Sequence, residues 1–337
     1  MMGNRICIIT HESIYHDNDK YFCDNLDLKS IPEGLSSNND VKLIARGSSK
    51  PRSKSININN INISSNLFVY LGKILKDITK NKYKYLVISL TPYTFLSILI
   101  LKLFRKKVFL YLRSDGFKEH EVILGKIGKL IYGLMFYIAS NISSLIACRE
   151  HLLKKKHGIL VNPSHLNKKW FLNHIDPNLK EIKLLYVGRM RKEKGIFFLI
   201  DLLKNTDIKL NIVVSEKKLE KVYSDNIKII PFQNYNDEII KFYDESNILI
   251  LPSYTEAHPQ VVDEALARKR PVIVFNEIEH VKRDRKGIFV TNRDLNSLRK
   301  ELDFIIQNYQ SIQDDMKKNI LPTKKDFLKK LDNILNS

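Results

Sequence analysis

Two carboxylates, Glu256 and Glu264, and two cations, Arg189 and Lys194, are the residues whose types and spacing best suit chemistry on a molecule carrying hydroxyls beside a diphosphate. The apolar run Ile248 to Leu251 reads as a buried strand that ends at Pro252 and gives way to the turn formers Ser253 and Thr255. A helix should follow, with Pro259 tolerated in its first turn and Val261, Val262, Ala265 and Leu266 recurring at helical spacing until Pro271 forces the chain out. Glu256 then sits in the loop before the helix, and Glu264 lies about one turn inside it. A helix N-terminus offers unpaired N–H groups and a partial positive charge, so a diphosphate is expected on the amides of Gln260 and Val261. The carboxylates would accept hydroxyl hydrogen bonds on either side of it, and His258 is expected to line the same pocket.

A second block stands about sixty residues upstream. Leu184 to Val187 reads as a strand, followed by Gly188-Arg189-Met190-Arg191-Lys192-Glu193-Lys194-Gly195 and an apolar helix from Ile196 to Leu203. Arg189 offers a planar fork of donors and Lys194 a compact charge, which together suit phosphate groups whose charge grows as a bond to them breaks. Taken singly, a pair of Glu or a basic turn is more often a solvated surface feature.

Pro252 to Val274 resembles the E-x7-E motif of the family 4 glycosyltransferases, of the glycosyl transferases group 1 type, and Gly188 to Gly195 resembles that family's G-R-x(4)-K-G segment. The resemblance covers roughly Lys180 to Val274. It implies a retaining enzyme of the GT-B fold, with Glu256 facing the donor sugar, Glu264 holding the ribose hydroxyls, and Arg189 and Lys194 stabilising a departing diphosphate. It also implies a nucleotide-diphosphate sugar as donor, with no separate cofactor and no protein-bound metal. The family has a Gly and then an aromatic residue after the first Glu, where this chain has Ala257 and His258, so the sugar pocket departs from the pattern. By position, Phe232 and Gln233 neighbour the nucleobase.

The elements needed to position these groups alternate along the chain. Strands are expected at Arg5 to Thr10, Val41 to Ala45, Tyr85 to Leu90, Val108 to Leu112 and Ser144 to Cys148, and again at Leu184 to Val187, Lys209 to Ser215, Asn226 to Pro231 and Asn247 to Leu251, with helical segments between them. That alternation implies parallel sheets covered on both faces. With 337 residues and 44% hydrophobic content, the chain can build two cores. The expected fold is therefore α/β: two doubly wound Rossmann-like domains, residues 1–168 for the acceptor and 169–337 for the nucleotide sugar, facing a central cleft as in GT-B, with the last helix packing back on the first domain. The stretch Ser53 to Asn66 reads as a loop or irregular edge strand.

In the first half, the segment after the first strand, His11 to His16, lacks the glycines that the family often has there. His11 lies at a strand's carboxyl end, where open α/β sheets place ligands, and is an acceptor-side catalytic candidate. Asp115, in Arg113-Ser114-Asp115-Gly116, is the other, with a simple Asp-Gly turn as the alternative. Asp17-Asn18-Asp19 has the Asp-x-Asp form of a manganese site, yet it lacks the flanking strand that motif needs. The His and Cys residues show no zinc-like spacing, and Cys7, Cys23 and Cys148 are scattered, which suits a reducing compartment.

Charge is unevenly placed. Residues 51–200 carry 27 Lys and Arg against 8 Asp and Glu, whereas the rest balances at 29 against 29, so the whole +19 surplus lies in that stretch. Thr91 to Phe104 is apolar and ends in Arg105-Lys106-Lys107, and Val122 to Ile138 is apolar with Lys126 and Lys129. Basic residues beside apolar helices favour anionic headgroups, although a buried helix is apolar too. The charge-free run Leu86 to Leu101 is shorter than the roughly twenty residues that span a bilayer, and Pro92 divides it. No secretory signal is read at the amino terminus. Nucleic acid is not expected, because the lysine clusters lack interleaved aromatic residues. These readings converge on a cytoplasmic enzyme held at the inner face of a membrane, moving a sugar onto a cell-envelope glycan or lipid-linked acceptor. A sugar-nucleotide epimerase of the same fold and a non-catalytic glycan- or membrane-binding protein are the alternatives.

Overall fold

In the computed structural model, which describes residues 4–80, 83–214, 224–232 and 237–337, the chain forms two compact units, Met1–Pro163 with Lys325–Ser337, and Ser164–Lys324. The division falls inside Asn162-Pro163-Ser164, a few residues ahead of 168, and the final segment belongs with the first unit.

The first unit is built on a parallel sheet in the order β5-β3-β1-β6-β7-β8-β9: β1 (Arg5–Asp17), β3 (Asp40–Gly47), β5 (Asn60–Ser64), β6 (Lys84–Ile88), β7 (Val108–Leu112), β8 (Ser144–Ala147) and β9 (Gly158–Leu160). Its central strands are continuous apolar runs because helices cover both faces. β1 runs past the expected end at Thr10. After a register shift between Ile9 and Ser13 it continues to Asp17 and pairs antiparallel with β2 (Lys20–Cys23), which pairs in turn with β4 (Lys54–Ile56). The His11 to His16 segment, expected to follow the first strand, is therefore part of it. Asn18 and Asp19, at φ 45° and 60°, form the two-residue turn, since short polar side chains tolerate the left-handed region. Asp17-Asn18-Asp19 thus has a strand on each side, contrary to the expectation, and among the described residues it joins no cluster of metal-ligating side chains. The Ser53 to Asn66 stretch supplies β4 and the edge strand β5, whose Ile56 and Ile61 are buried.

Helices α1 (Leu26–Leu35), α2 (Leu67–Lys80), α3 (Pro92–Leu103) and α4 (Gly116–Ile142) connect these strands. Thr91 and Thr94 form a reciprocal cap with Pro92 in the first turn of α3, which explains why the helix begins there.

The second unit holds six parallel strands in the order β12-β11-β10-β13-β14-β15: β10 (Lys183–Val187), β11 (Lys209–Val214), β12 (Ile227–Pro231), β13 (Ile248–Leu251), β14 (Val272–Phe275) and β15 (Ile288–Thr291). Strand order reverses between β10 and β13, so the loops leaving their carboxyl ends diverge to opposite sides and open a crevice. Helices α5 (Ile196–Leu203), α6 (Ile240–Asp244), α7 (Gln260–Ala267), α8 (Leu295–Gln307) and α9 (Tyr309–Met316) pack around this sheet. Arg268 and Arg270, both buried, fasten the segment leading into the unit: Arg268 donates to the carbonyls of Trp170, Leu172 and Asn173 and pairs with Asp244, while Arg270 donates to Ile175. α10 (Lys324–Asn336) lies in the first unit, burying Phe327, Leu331, Ile334 and Leu335 on one stripe, with Asp332 accepting from Asn39 at 2.8 Å.

Candidate functional site

The crevice of the second unit is lined by the loops after β10 and β13. The first begins at Gly188, whose position leaves room for the Tyr186 ring beneath it. The Tyr186 hydroxyl donates to the Arg189 carbonyl at 2.9 Å. The loop ends at Gly195, with φ +66°, where an added Cβ would lie 1.9 Å from the Pro252 carbonyl oxygen. Only glycine lets the two loops touch, and the contact sets the rest of the site. Tyr254 N–H donates to the Glu193 carbonyl at 3.0 Å. One residue on, Lys194 Nζ donates to Glu256 Oε1 at 2.6 Å, and Ser253 Oγ donates to the same oxygen at 2.8 Å.

Behind the second loop stands Arg293. Its Nη2 donates to the carbonyls of Pro252 at 2.7 Å and Ser253 at 3.1 Å, and its Nε pairs with Glu277 at 2.5 Å. The guanidinium lies 4.0 Å from the centre of the Tyr254 ring and 4.8 Å from that of Phe275. Burial raises the Glu277 carboxyl, and the hydrogen bond and charge of Arg293 with a backbone N–H together bring it below its ordinary value. His280 Nε2 donates to the Glu256 carbonyl at 2.9 Å, so backbone and side chain of Glu256 are both held. Neither Arg293 nor His280 stands out in the sequence. Each lies in a short polar segment without periodicity, and only the fold brings His280 to Glu256 and Arg293 to the loop before it.

α7 begins at Gln260, so Gln260 and Val261 occupy the first turn, where backbone N–H groups have no helical acceptor. Glu264 lies inside this helix, 1% exposed, with its Oε2 accepting from the Tyr243 hydroxyl at 2.5 Å. His258 is arranged differently from the expected pocket lining. Its side chain is turned inward, with Nε2 3.2 Å from the buried Asp263 carboxylate, which also pairs with Arg285. That contact ties the loop to the helix. Arg189 is exposed, and its side chain makes no ion pair or hydrogen bond among the described residues. Phe232, at the end of β12, is half-buried with its ring against Phe242. Gln233 lies outside the described residues.

In the first unit, the expected acceptor-side residues gather at the carboxyl edge of the sheet. Arg46 Nη1 donates to His11 Nε2 at 2.9 Å, which requires a neutral imidazole, and the ring packs 4.5 Å from Tyr93. Burial and then the Arg46 charge lower the His11 pKa, against a smaller upward pull from Glu12. Asp115 caps α4. One oxygen accepts from the amides of Phe117 and Lys118 and the other pairs with Lys154 at 3.3 Å, so the carboxylate is engaged on both sides. Arg113 reaches Asp27 at 3.3 Å.

The family model for glycosyl transferases group 1 matches residues 170–321, which take in all of the crevice just described. A protein of Klebsiella pneumoniae, described as an uncharacterised 41.2 kDa protein in the cps region, is 28% identical over 207 residues, covering 58% of this chain and 54% of its own length. The chain spans about half the length of the curated relatives it matches. Among solved structures, WaaG, a glycosyltransferase involved in lipopolysaccharide biosynthesis, aligns with a TM-score of 0.70 at 12% identity, covering 98% of this chain and 100% of that one. HepE of Anabaena, solved with UDP and glucose, aligns with a TM-score of 0.70 at 12% identity, covering 98% and 99%. At this identity the likeness shows the fold, two Rossmann-like units of the GT-B type.

Proposed function

We propose that the chain is a retaining glycosyltransferase that moves a sugar from a nucleotide diphosphate onto a cell-envelope glycan or lipid-linked acceptor, a reading that the match of residues 170–321 to the glycosyl transferases group 1 model supports. The observation that carries this reading is the Lys194–Glu256 pair at 2.6 Å, set at the switch point of a parallel sheet beside the first turn of α7. It joins the two motifs on one wall of the crevice.

In the proposed reaction, Arg189, Lys194 and the amides of Gln260 and Val261 take the donor diphosphate, where charge develops as the anomeric C–O bond breaks. Glu256, positioned by Ser253 and His280, orients the donor sugar. Glu264, a buried carboxylate held by Tyr243 one turn below the amides of Gln260 and Val261, is assigned to the ribose. By sequence position, Phe232 and Gln233 are assigned to the nucleobase. A phosphate oxygen of the leaving group accepts the acceptor hydroxyl's proton, and the new bond forms on the same face of the sugar. No cofactor besides the donor is called for. His11 and Asp115 remain acceptor-side candidates, with Asp115 the weaker because its carboxylate caps a helix. A nucleotide-sugar donor locates the reaction in the cytoplasm, and the cps-region and lipopolysaccharide descriptions of the relatives support an envelope glycan as product.

The test is incorporation of label from a panel of radiolabelled nucleotide sugars into glycan or lipid of cell membranes. The wild-type protein should transfer one of them, and a folded Glu256→Gln variant should lose at least about a hundredfold in rate. Equal incorporation by the two proteins would overturn the assignment.

A further inference from the structure

α4 is apolar and, by length and composition, long enough to cross a membrane. It is not one rod. At Gly125, φ 65° and ψ −154° interrupt the helix, in a region that glycine alone enters without strain. Residues on either side of the break then meet. A Cβ on Gly128 would lie 2.2 Å from the His120 carbonyl oxygen, whereas residues eight apart in a continuous helix are about 12 Å apart. Lys129 pairs with Glu121 at 2.8 Å, and the Tyr132 ring packs 4.7 Å from His120 and 4.9 Å from Phe117. The chain doubles back into a helical hairpin.

The root of this hairpin is fixed, because Tyr132, Met135, Phe136 and Ala139 are buried and the second limb runs directly into β8. Gly116, just past the carboxyl end of β7, meets Tyr132. The residues from Tyr132 back to Gly125 therefore carry the tip roughly 10 Å beyond that edge of the sheet. There Val122 is 80%, Ile123 72%, Ile127 70% and Leu130 76% exposed. Single exposed aliphatics are ordinary, but a contiguous set at a projecting tip is not.

Charge identifies the occupant. Lys118 and Lys126 are exposed beside these side chains, Lys154 lies 5.2 Å from the Phe117 ring and Lys156 5.4 Å from the Tyr137 ring; Glu119 stands among them, while Glu121 is paired with Lys129 and Asp115 with Lys154, so cations outnumber carboxylates around the hairpin. The surplus of positive charge in residues 51–200 opposes pairing with a second copy through this face. Limbs of 9 and 17 residues on either side of Gly125 fall short of the roughly twenty that cross a bilayer. We propose that the hairpin tip inserts among the headgroups of an anionic lipid bilayer, bringing the carboxyl edge of the first sheet, with His11 and Arg46, to the membrane surface. This goes beyond the donor reaction and does not depend on it.

Co-sedimentation of the full chain with vesicles of phosphatidylcholine, with and without phosphatidylglycerol, tests the proposal. The protein should bind the anionic vesicles. An Ile123→Glu, Ile127→Glu double variant should partition at least about tenfold more weakly, and Lys126→Ala about fivefold more weakly, with circular dichroism and nucleotide binding unchanged. Failure of the wild type to bind, equal binding by the double variant, or a lipid-free dimer that the double variant dissolves would each overturn it.

Discussion

Lys194 and Glu256, 62 positions apart in sequence, are joined at 2.6 Å by loops that leave neighbouring strands. The Lys194 side chain is 23% and the Glu256 side chain 11% exposed, so the pair sits between the exposed and the fully buried regimes. A double-mutant cycle with Lys194→Ala and Glu256→Gln, read by urea unfolding, should give a coupling of about 1–2 kcal/mol. Additive effects would mean the two side chains do not interact in solution.

Gly195 makes that pairing possible. An alanine there must hold a left-handed conformation and push the Pro252 carbonyl away, so Gly195→Ala should cost at least about 2 kcal/mol. Gly72, inside α2 with open space around it, is the control, and Gly72→Ala should stabilise by about 0.5–1 kcal/mol. Equal unfolding midpoints for the two variants would contradict the close approach of the loops.

Arg293 holds two carbonyls, a carboxylate and a ring face at once, geometry that lysine cannot reproduce. Both Arg293→Lys and Arg293→Ala should weaken donor use by about ten- to a hundredfold in kcat/KM. Recovery of most activity by the lysine variant would show that only the charge matters.

Burial and Arg46 hold the His11 pKa below its ordinary 6.5. The folded state therefore resists a proton that the unfolded chain takes up as pH falls through 6.5, and stability must fall on acidification through that range. Between pH 7.5 and 5.5, the wild type should lose more unfolding free energy than His11→Gln. Parallel losses would show that the imidazole titrates freely in the folded protein.

Much of this was legible in the sequence. Apolar runs such as Ile248 to Leu251 can only be buried parallel strands when helices alternate with them, and Pro252, Pro259 and Pro271 punctuate the loop and helix that follow. Less legible were features that depend on contact. β1 continues past Thr10 because it pairs with β2, and neither strand has enough apolar alternation alone to announce it. His258 reads as a pocket residue until Asp263, one turn into the helix, draws it inward. Val122 to Ile138 reads as one helix because a lone Gly125 carries no sign that it reverses the chain.

We propose that the crevice of the second unit binds a nucleoside diphosphate through Arg189 and Lys194. Isothermal titration of UDP, GDP, ADP and CMP into the wild type, the Arg189→Ala, Lys194→Ala double variant and Glu256→Gln tests it most directly. One diphosphate should bind the wild type and Glu256→Gln, and the double variant should bind it at least about tenfold more weakly. No binding at millimolar concentration, or equal binding by the double variant, would contradict the claim.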